Sequence, residues 1–437
     1  MTTKSGLISG VRLLTGVKFT AEVKRILSDN LLATFATTFA GLLGFALQSL
    51  VSHTLHPVEF GGAFALISFF SIAVRPAATV GRLVAWRTSR ESASHVVIGE
   101  SSALLRATIK WLLLAGFLIS LLSVLAGRVI AAYIHLNLVD VAVASLSAPF
   151  LLAFQPLLGA LQGDKRFKSW SILNIVLPLS YIVFVTALVF PYGIIGVISG
   201  VSLGSAISFA FGIYLLRDKI WPRAFENTKL HLKTYAPFLS TGLATTLTVG
   251  VFMSADVIVV QHFFNRTEAG QYAIVAVIGN ALFSVAGGAL SATFPNIVTK
   301  QSRGQSTIPI LLITLAAFVV VTVLGATVLQ LFGIPILRTV GGTKYLGGAS
   351  FIGWYSLGMG MLSWATVLIH TQQARNRLHL LWILIPALTL RVGLLLLFHR
   401  SIIMIVTISD LLVFTLCIVL FVTYLLDEFK IKAVSSS

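Results

Sequence analysis

One charged side chain stands deep inside an apolar segment of this chain. Arg75 lies within the apolar run 60–83 and is followed directly by Pro76. If the run is helical, the guanidinium is roughly 12 Å from the nearest polar flank, at 1.5 Å per residue. A charge at such a depth in a bilayer costs roughly 2.5 kcal/mol or more. The position therefore predicts an Arg that faces a wet cavity, an acidic partner or a bound anion.

Phosphate is the anion that suits Arg best, because the planar fork of N–H donors matches a pair of phosphate oxygens. Arg75 is accordingly our first candidate for substrate binding, and we expect Arg82 to attract the same anion. The alternative is a structural Arg that bonds backbone carbonyls or an acid elsewhere in the chain. Pro76 frees a backbone carbonyl and favours a bend, which suits a helix that lines a cavity.

Three more ionisable residues lie inside apolar segments and are candidates for coupling or gating. Arg391 and Asp410 lie at nearly equal distances from a turn predicted near Arg400. An antiparallel helical hairpin would therefore place them at a similar depth. We expect a buried ion pair between them, or a pair that a proton or a substrate opens. Asp256 is either a coupling carboxylate or a hydrogen-bond partner of hydroxyls such as those of Ser254 and Thr248.

Amide side chains also interrupt the apolar segments. Gln48 and Asn280 are predicted to bind substrate, through hydroxyl groups in a cavity, and Gln155, Gln162 and Asn174 are further candidates. Hydrogen bonding between helices is the commoner use of such residues in membranes and is the alternative for all five.

Several kinds of chemistry find no support in the sequence. His53 and His56 have no third ligand nearby, so no metal site is expected. The chain contains no phosphate-binding Gly-x4-Gly-Lys-Ser/Thr loop for ATP, and no Ser/His/Asp or Cys/His set converges. We expect no enzyme activity and no cofactor. Coupling to H⁺ or Na⁺ through Asp256 or Asp410 stays open.

The composition is that of a polytopic membrane protein. Of the 437 residues 57% are hydrophobic and 10% are charged, with a mean hydropathy of +0.96, whereas charged residues make up about 25% of soluble domains. The net charge of +17 does not indicate a nucleic-acid partner, because the basic residues lie in short loops between apolar segments.

About twelve segments are long enough to span a bilayer as helices, which predicts an all-α fold. We place them at 31–54, 60–83, 111–134, 138–161, 170–190, 194–216, 236–262, 268–299, 308–332, 343–369, 380–398 and 402–425.

The basic residues predict the orientation of these spans. With the N-terminus in the cytoplasm, 24 of the 31 Lys and Arg residues fall on the cytoplasmic side, five fall outside and two lie within spans. Such a split predicts a multi-pass membrane protein with both termini cytoplasmic. The predicted domains are a cytoplasmic arm (1–30), a six-helix bundle (31–216), a cytoplasmic linker (217–235), a second six-helix bundle (236–425) and a cytoplasmic tail (426–437).

An internal repeat relates the two predicted bundles. The stretch 53–61 aligns without gaps to 262–270, with His, Glu and Gly at matching positions. Each copy lies at the outer turn between the first and second span of its half. Both halves begin in the cytoplasm, so the repeats are parallel, and a substrate site is expected between them near the midplane.

The same stretches resemble those of a known family. Leu55–Gly61 reads LHPVEFG after a span that contains Gly41 and Gly44, and it is similar to a turn of the polysaccharide flippases of the Wzx type. The second half is also similar to this family. The similar stretches are ADVIVVQ, which begins at Ala255, EAGQYA, which begins at Glu268, and the dipeptide Phe294-Pro295. These flippases belong to the MATE-like MOP transporter superfamily.

The resemblance implies two pseudo-symmetric six-helix bundles in a V around a cationic cavity that alternates its access. It implies as substrate an undecaprenyl-diphosphate-linked oligosaccharide, moved to the outer leaflet for exopolysaccharide or O-antigen synthesis. Expected partners are this lipid-linked substrate, membrane lipids, and a polysaccharide polymerase with its chain-length machinery. A MATE-type multidrug or cation antiporter is the alternative, although it favours an anionic cavity, and the intramembrane charges here are balanced.

Overall fold

The computed structural model describes residues 21–94, 100–221, 235–302, 308–374 and 378–435, with the backbone alone described at 21–30, 92–94, 285–302, 309–310, 374, 378 and 429–435. Most of the predicted cytoplasmic arm (1–30) and most of the predicted linker (217–235) therefore lie outside the described residues.

The described part of the N-terminal half is a succession of helices. They are α1 (Ala21–Thr54), α2 (Pro57–Val74), α3 (Ala77–Ser94), α4 (Glu100–Leu125), α5 (Gly127–Ile134), α6 (Leu138–Ser145), α7 (Ser147–Gly163), α8 (Phe167–Leu215) and the short α9 (Arg217–Ile220).

The C-terminal half repeats this pattern and adds two short 3₁₀ helices, at Thr343–Ser350 and Leu378–Leu380. Its α-helices are α10 (Ala236–Phe263), α11 (Arg266–Ser302), α12 (Ile308–Leu331), α13 (Gly333–Val340), α14 (Ile352–Ala374), α15 (Leu381–Leu397) and α16 (Ile402–Ser435).

The all-α prediction is confirmed, and each of the twelve predicted spans falls on helical structure. Among the described residues, nine helices are long and apolar enough to cross a membrane, and α15 is a shorter apolar helix. One of the nine, α8, contains two predicted spans joined at Gly193, which has a φ of +55°. Glycine adopts this left-handed conformation without a steric penalty, so the chain reverses there without a loop.

The second predicted span, 60–83, is divided into two helices at Arg75. Helix α2 ends at Val74, and α3 begins at Ala77, so Arg75 and Pro76 lie between the two. Pro76 has no N–H to donate to a carbonyl one turn earlier, which interrupts the helical ladder. The Arg75 carbonyl still accepts from the Ala78 N–H at 3.0 Å, so the chain bends without unfolding.

Close contacts between helices form the wall of the N-terminal half and join it to the C-terminal half. Helices α3 and α7 approach so closely that a methyl group at Gly159 would lie 2.0 Å from the Gly81 carbonyl oxygen. Helix α2 in turn packs against α10 and α11 of the other half. These contacts position the residues between the two halves.

Candidate functional site

A cavity of about 520 Å³ lies between the two halves. Its wall is formed by α2, α3, α7 and α8 on one side and by α10 and α14 on the other. The polar residues of this wall are Arg75, Arg82, Gln155, Gln162, Trp170, Thr245, Thr246, Thr366 and His370. The structure thus brings together the two Arg residues that the sequence assigned to substrate binding.

Arg75 lines the cavity and has no acidic partner among the described residues. Its aliphatic stem packs against the backbone of Gly250 in α10, where an added methyl group would lie 2.7 Å from Arg75 Cδ. Within the part of the chain that the structure describes, no carboxylate lies within 4.0 Å of the guanidinium and no hydrogen bond is made by it. Of the two interpretations of Arg75, the geometry matches the one in which the charge faces a cavity.

Arg82 belongs to a polar network that crosses between the halves. Its guanidinium lies 3.5 Å from His370 Nδ1 in α14 and 3.4 Å from the Thr79 hydroxyl. His370 Nδ1 lies 3.1 Å from Gln373 Oε1, and the Gln373 amide donates to the Thr241 carbonyl at 3.1 Å. Through Arg82, the N-terminal half places a cation beside hydrogen-bonding groups of the C-terminal half.

Two amides complete the wall on the N-terminal side. Gln155 and Gln162 both lie on α7 and are two helical turns apart, on one face. Neither side chain makes a hydrogen bond with any described residue, so interhelical bonding, the alternative for these two amides, is not seen within the described residues. Trp170, at the start of α8, lies beside them in the same wall.

Two of the predicted binding residues lie elsewhere. Gln48 is half-buried on α1 and Asn280 is half-buried on α11, and neither is part of the cavity wall. The Asn280 Oδ1 atom is buried without a hydrogen-bond partner among the described residues. Asn174 donates to the Trp170 carbonyl of its own helix at 3.4 Å. Substrate binding by Gln48 and Asn280 stays a prediction.

Arg391 pairs with Asp256 and not with Asp410, the partner that the sequence predicted. Arg391 Nη2 lies 3.7 Å from Asp256 Oδ2, both side chains are buried, and the same nitrogen donates to the Phe252 carbonyl at 3.3 Å. Asp256 also accepts from the Tyr272 hydroxyl at 2.8 Å, rather than from Ser254 or Thr248. The helices that meet here are α10, α11 and α15.

Asp410 does not form an ion pair with Arg391. It lies on α16 in a cavity of about 540 Å³ on the outside of the C-terminal half, between α14 and α16. A methyl group at Gly358 would lie 1.9 Å from Asp410 Oδ1, so this glycine leaves the space for the carboxylate. No described residue forms an ion pair with Asp410, and the expected Arg391–Asp410 pair is therefore replaced by Arg391–Asp256.

The two halves are in direct backbone contact on the side predicted to be outer. A methyl group at Gly61 would lie 2.8 Å from the Gly270 nitrogen, and one at Gly270 would lie 2.1 Å from the Pro57 carbonyl oxygen. Gly61 and Gly270 are the equivalent glycines of the internal repeat. The repeat thus places one glycine of each half at the same contact.

Hydrogen bonds close the same region. His262 Nδ1 lies 2.8 Å from the Tyr133 carbonyl, with the two rings stacked 3.7 Å apart. The Gln261 amide donates to the Ile134 carbonyl at 3.0 Å, and His135 Nδ1 lies 3.2 Å from the Gln261 carbonyl. The predicted outer side is closed, and the cavity lies toward the predicted cytoplasmic side.

The sequence did not indicate His370, Trp170 or the threonines of α10 as site residues. Trp170 lies near a helix start in a basic loop, which resembles an interfacial anchor. His370 lies at the predicted cytoplasmic end of an apolar span, where a polar residue needs no special explanation. Only the packing of α14 against the N-terminal half brings it to Arg82.

The arrangement of helices is that of known transporters. A multidrug resistance MATE family transporter of the MOP superfamily, in an inward-facing conformation, superposes with a TM-score of 0.73 over 93% of this chain and 99% of its own, at 12% identity. The lipid II flippase MurJ, in an inward closed conformation, gives 0.71 over 92% and 90%, at 16% identity. The eukaryotic MATE transporter AtDTX14 gives 0.70 over 94% and 98%, at 12% identity.

No protein-family model and no curated protein sequence matches this chain. Identities of 12 and 16% show the fold and nothing finer. The chain is a multi-pass membrane protein with the MATE-like fold, shared by multidrug transporters and by a lipid flippase.

Proposed function

We propose that this protein is a flippase that moves an undecaprenyl-diphosphate-linked oligosaccharide from the inner to the outer leaflet of the bacterial inner membrane. The observation that supports this most is the position of Arg75. A cation with no described acidic partner lines the cavity between the halves. Such a charge is stable at membrane depth when water or an anion occupies the cavity.

The diphosphate fits the cationic wall. Arg75 and Arg82 lie on consecutive helices and face the same space, so both can donate charge-assisted hydrogen bonds to phosphate oxygens. Arg82 already lies at hydrogen-bond distance from His370 of the other half. Binding of an anion at Arg82 would compete with this link, which gives the substrate a means to change the contact between the halves.

The saccharide fits the remainder of the wall. Gln155 and Gln162 offer amide donors and acceptors that no described residue uses, and hydroxyl groups are their natural partners. Trp170 adds a flat apolar surface beside them. In this proposal the lipid tail stays in the bilayer while the polar headgroup occupies the cavity.

Movement across the membrane follows from alternating access. The two halves are in contact at Gly61 and Gly270, on the side predicted to be outer, and in this proposal the conformation is the one that loads from the cytoplasm. Rocking of the halves would separate this contact and expose the headgroup to the outer side. A polysaccharide polymerase and its chain-length machinery would then be the partners that receive the substrate.

A MATE-type multidrug or cation antiporter is the second candidate, and the carboxylates of the C-terminal half favour it. Asp256 is buried beside Arg391, and Asp410 lies in a separate cavity with aromatic walls at Trp354 and Phe414. Carboxylates in such positions can take up a proton or a cation. In the flippase proposal the same three ionisable residues couple or gate the movement of the halves.

The test uses a deletion strain complemented with variants of the chain. We expect deletion to cause accumulation of undecaprenyl-linked precursor and loss of surface polysaccharide. Arg75→Ala should fail to restore export at normal protein level, whereas Arg75→Lys should restore part of it, because a point charge replaces the fork of donors. Drug susceptibility is measured in the same strains. Normal polysaccharide with altered cation efflux would favour the antiporter and overturn the flippase proposal.

A further inference from the structure

A groove of about 430 Å³ lies on the outside of the N-terminal half, where α4 and α9 meet. One face of α4 forms most of it, through Arg106, Lys110, Leu114 and Phe117. Ile220 of α9 closes the other side. The groove shares no lining residue with the cavity between the halves, so it belongs to a different surface of the molecule.

The groove changes character along its length. Arg106 and Lys110 are one helical turn apart and occupy the end of α4 that the charge distribution assigns to the cytoplasm. Leu114 and Phe117, further along the helix, have half of their surface exposed, at 50% and 54%. From Arg106 to Phe117 the helix rises by roughly 16 Å. Positive charge therefore lies at the membrane boundary and an apolar trough leads from it into the bilayer.

We propose that this groove binds an anionic phospholipid of the cytoplasmic leaflet. Its phosphate would contact Arg106 and Lys110, and an acyl chain would lie along Leu114 and Phe117. Anionic headgroups are attracted to basic residues at this boundary, and a basic pocket between helices adds a defined position. A soluble partner does not fit, because most of the groove lies on α4, which is long and apolar enough to span a membrane.

The site gives the lipid a contact with the linker between the halves. Ile220 lies in α9, the first element of the predicted linker, and it is buried in an apolar cluster with Ile109 of α4. Asp218 and Lys219, also in α9, pair with Arg166 and Asp164 at the turn between α7 and α8. A lipid seated between α4 and α9 would hold the N-terminal end of the linker against its bundle.

Lipid retention by the purified full-length chain tests the proposal. The protein is equilibrated with equal amounts of phosphatidylglycerol and phosphatidylcholine, and retained lipids are counted by native mass spectrometry. We expect a preference for phosphatidylglycerol that falls roughly tenfold in the Arg106→Gln/Lys110→Gln variant. Arg106→Lys/Lys110→Arg should keep the preference, because the charges stay.

The matched control is Arg128→Gln/Arg400→Gln, which removes two exposed cations from the predicted outer side. Melting temperatures in phosphatidylcholine alone check that all variants fold. An equal loss in the control, or an unchanged preference in Arg106→Gln/Lys110→Gln, would overturn the proposal. A wild-type protein without any preference would mean that the groove is empty or is filled by the chain itself, and it would overturn the proposal equally. Because export is not measured, the result does not depend on the flippase proposal.

Discussion

The position of Arg75 depends on a residue of the other half of the molecule. Gly250 in α10 leaves room for the Arg75 stem, and a methyl group there would lie 2.7 Å from Arg75 Cδ. A side chain at position 250 must therefore move the guanidinium. Sequence inspection could find the Arg, because its charge is conspicuous, but it could not find the glycine, because 34 other glycines are present.

We predict that Gly250→Val lowers polysaccharide export by roughly tenfold, equivalent to the loss of one hydrogen bond to a charged group. The physical reason is displacement of Arg75 within the cavity. Export is measured in the complemented deletion strain at matched protein level. Gly393→Val is the control, since nothing lies within 4 Å of that position. Equal export by both variants would show that the stem contact does not position Arg75.

The pair Arg391–Asp256 leads to a prediction about stability. Asp256→Ala removes a buried carboxylate and leaves the buried guanidinium uncompensated, which should destabilise the protein by about 3–5 kcal/mol. The double variant Asp256→Leu/Arg391→Met should lose much less than the sum of the losses of Asp256→Leu and Arg391→Met measured singly. The free energy of unfolding of each variant is measured on the purified protein in detergent.

Arg400→Met, at an exposed outer turn, is the control for this cycle and should change the free energy of unfolding by less than about 0.5 kcal/mol. Additive losses in the double variant would contradict the pairing. The sequence located all three ionisable residues but assigned Arg391 to Asp410. Equal distances from a turn place two residues of a helical hairpin at the same depth. They do not determine how each helix is rotated about its own axis, and this rotation decides which residue Arg391 faces.

At the scale of elements, the break between α2 and α3 matters most. Pro76 interrupts the ladder, and the bend directs Arg75 into the space between the halves. The sequence predicted both the span and its bend, because proline and charge are local signals. It could not place Gln48 or Asn280, since α1 and α11 are apolar on several faces and the side that faces a cavity is decided by packing.

We predict that Pro76→Ala lowers export while the free energy of unfolding stays equal or rises by up to about 1 kcal/mol. Alanine supplies an N–H that can bond to a carbonyl one turn earlier and straighten the helix. Thermal unfolding and export are measured on the same variant. Pro237→Ala is the control, because Pro237 lies in the first turn of α10, where the N–H has no helical partner. Unchanged export would show that the bend at Pro76 is not needed for export.

At the scale of the whole molecule, the two halves are in contact on the side predicted to be outer. Backbone contact at Gly61 and Gly270 coincides with the hydrogen bonds of Gln261 and His262 to the end of α5. Ser49 and Ser52 of α1 add hydrogen bonds to the Val340 carbonyl of α13, both at 2.9 Å. All of these contacts join the two halves. Their loss is required for any outward-facing state.

We predict that Gly270→Ala shifts the population toward the outward-facing state, because the methyl group would lie 2.1 Å from the Pro57 carbonyl oxygen. Spin labels at positions 128 and 400, one on each half, report the separation in the Cys417→Ala background. The mean distance should lengthen relative to the unsubstituted chain. Gly41→Ala is the control, as nothing lies within 4 Å of it. An unchanged distance distribution would contradict the assignment of this contact as the outer closure.

The glycine contact also bears on the ancestry of the fold. If one six-helix chain gave rise to both halves by duplication, its homodimer carried this glycine on the symmetry axis. Any larger residue there would have met its own copy, so a single codon change would have disturbed both subunits at once. After fusion the two codons could diverge separately, yet Gly61 and Gly270 retain the same residue.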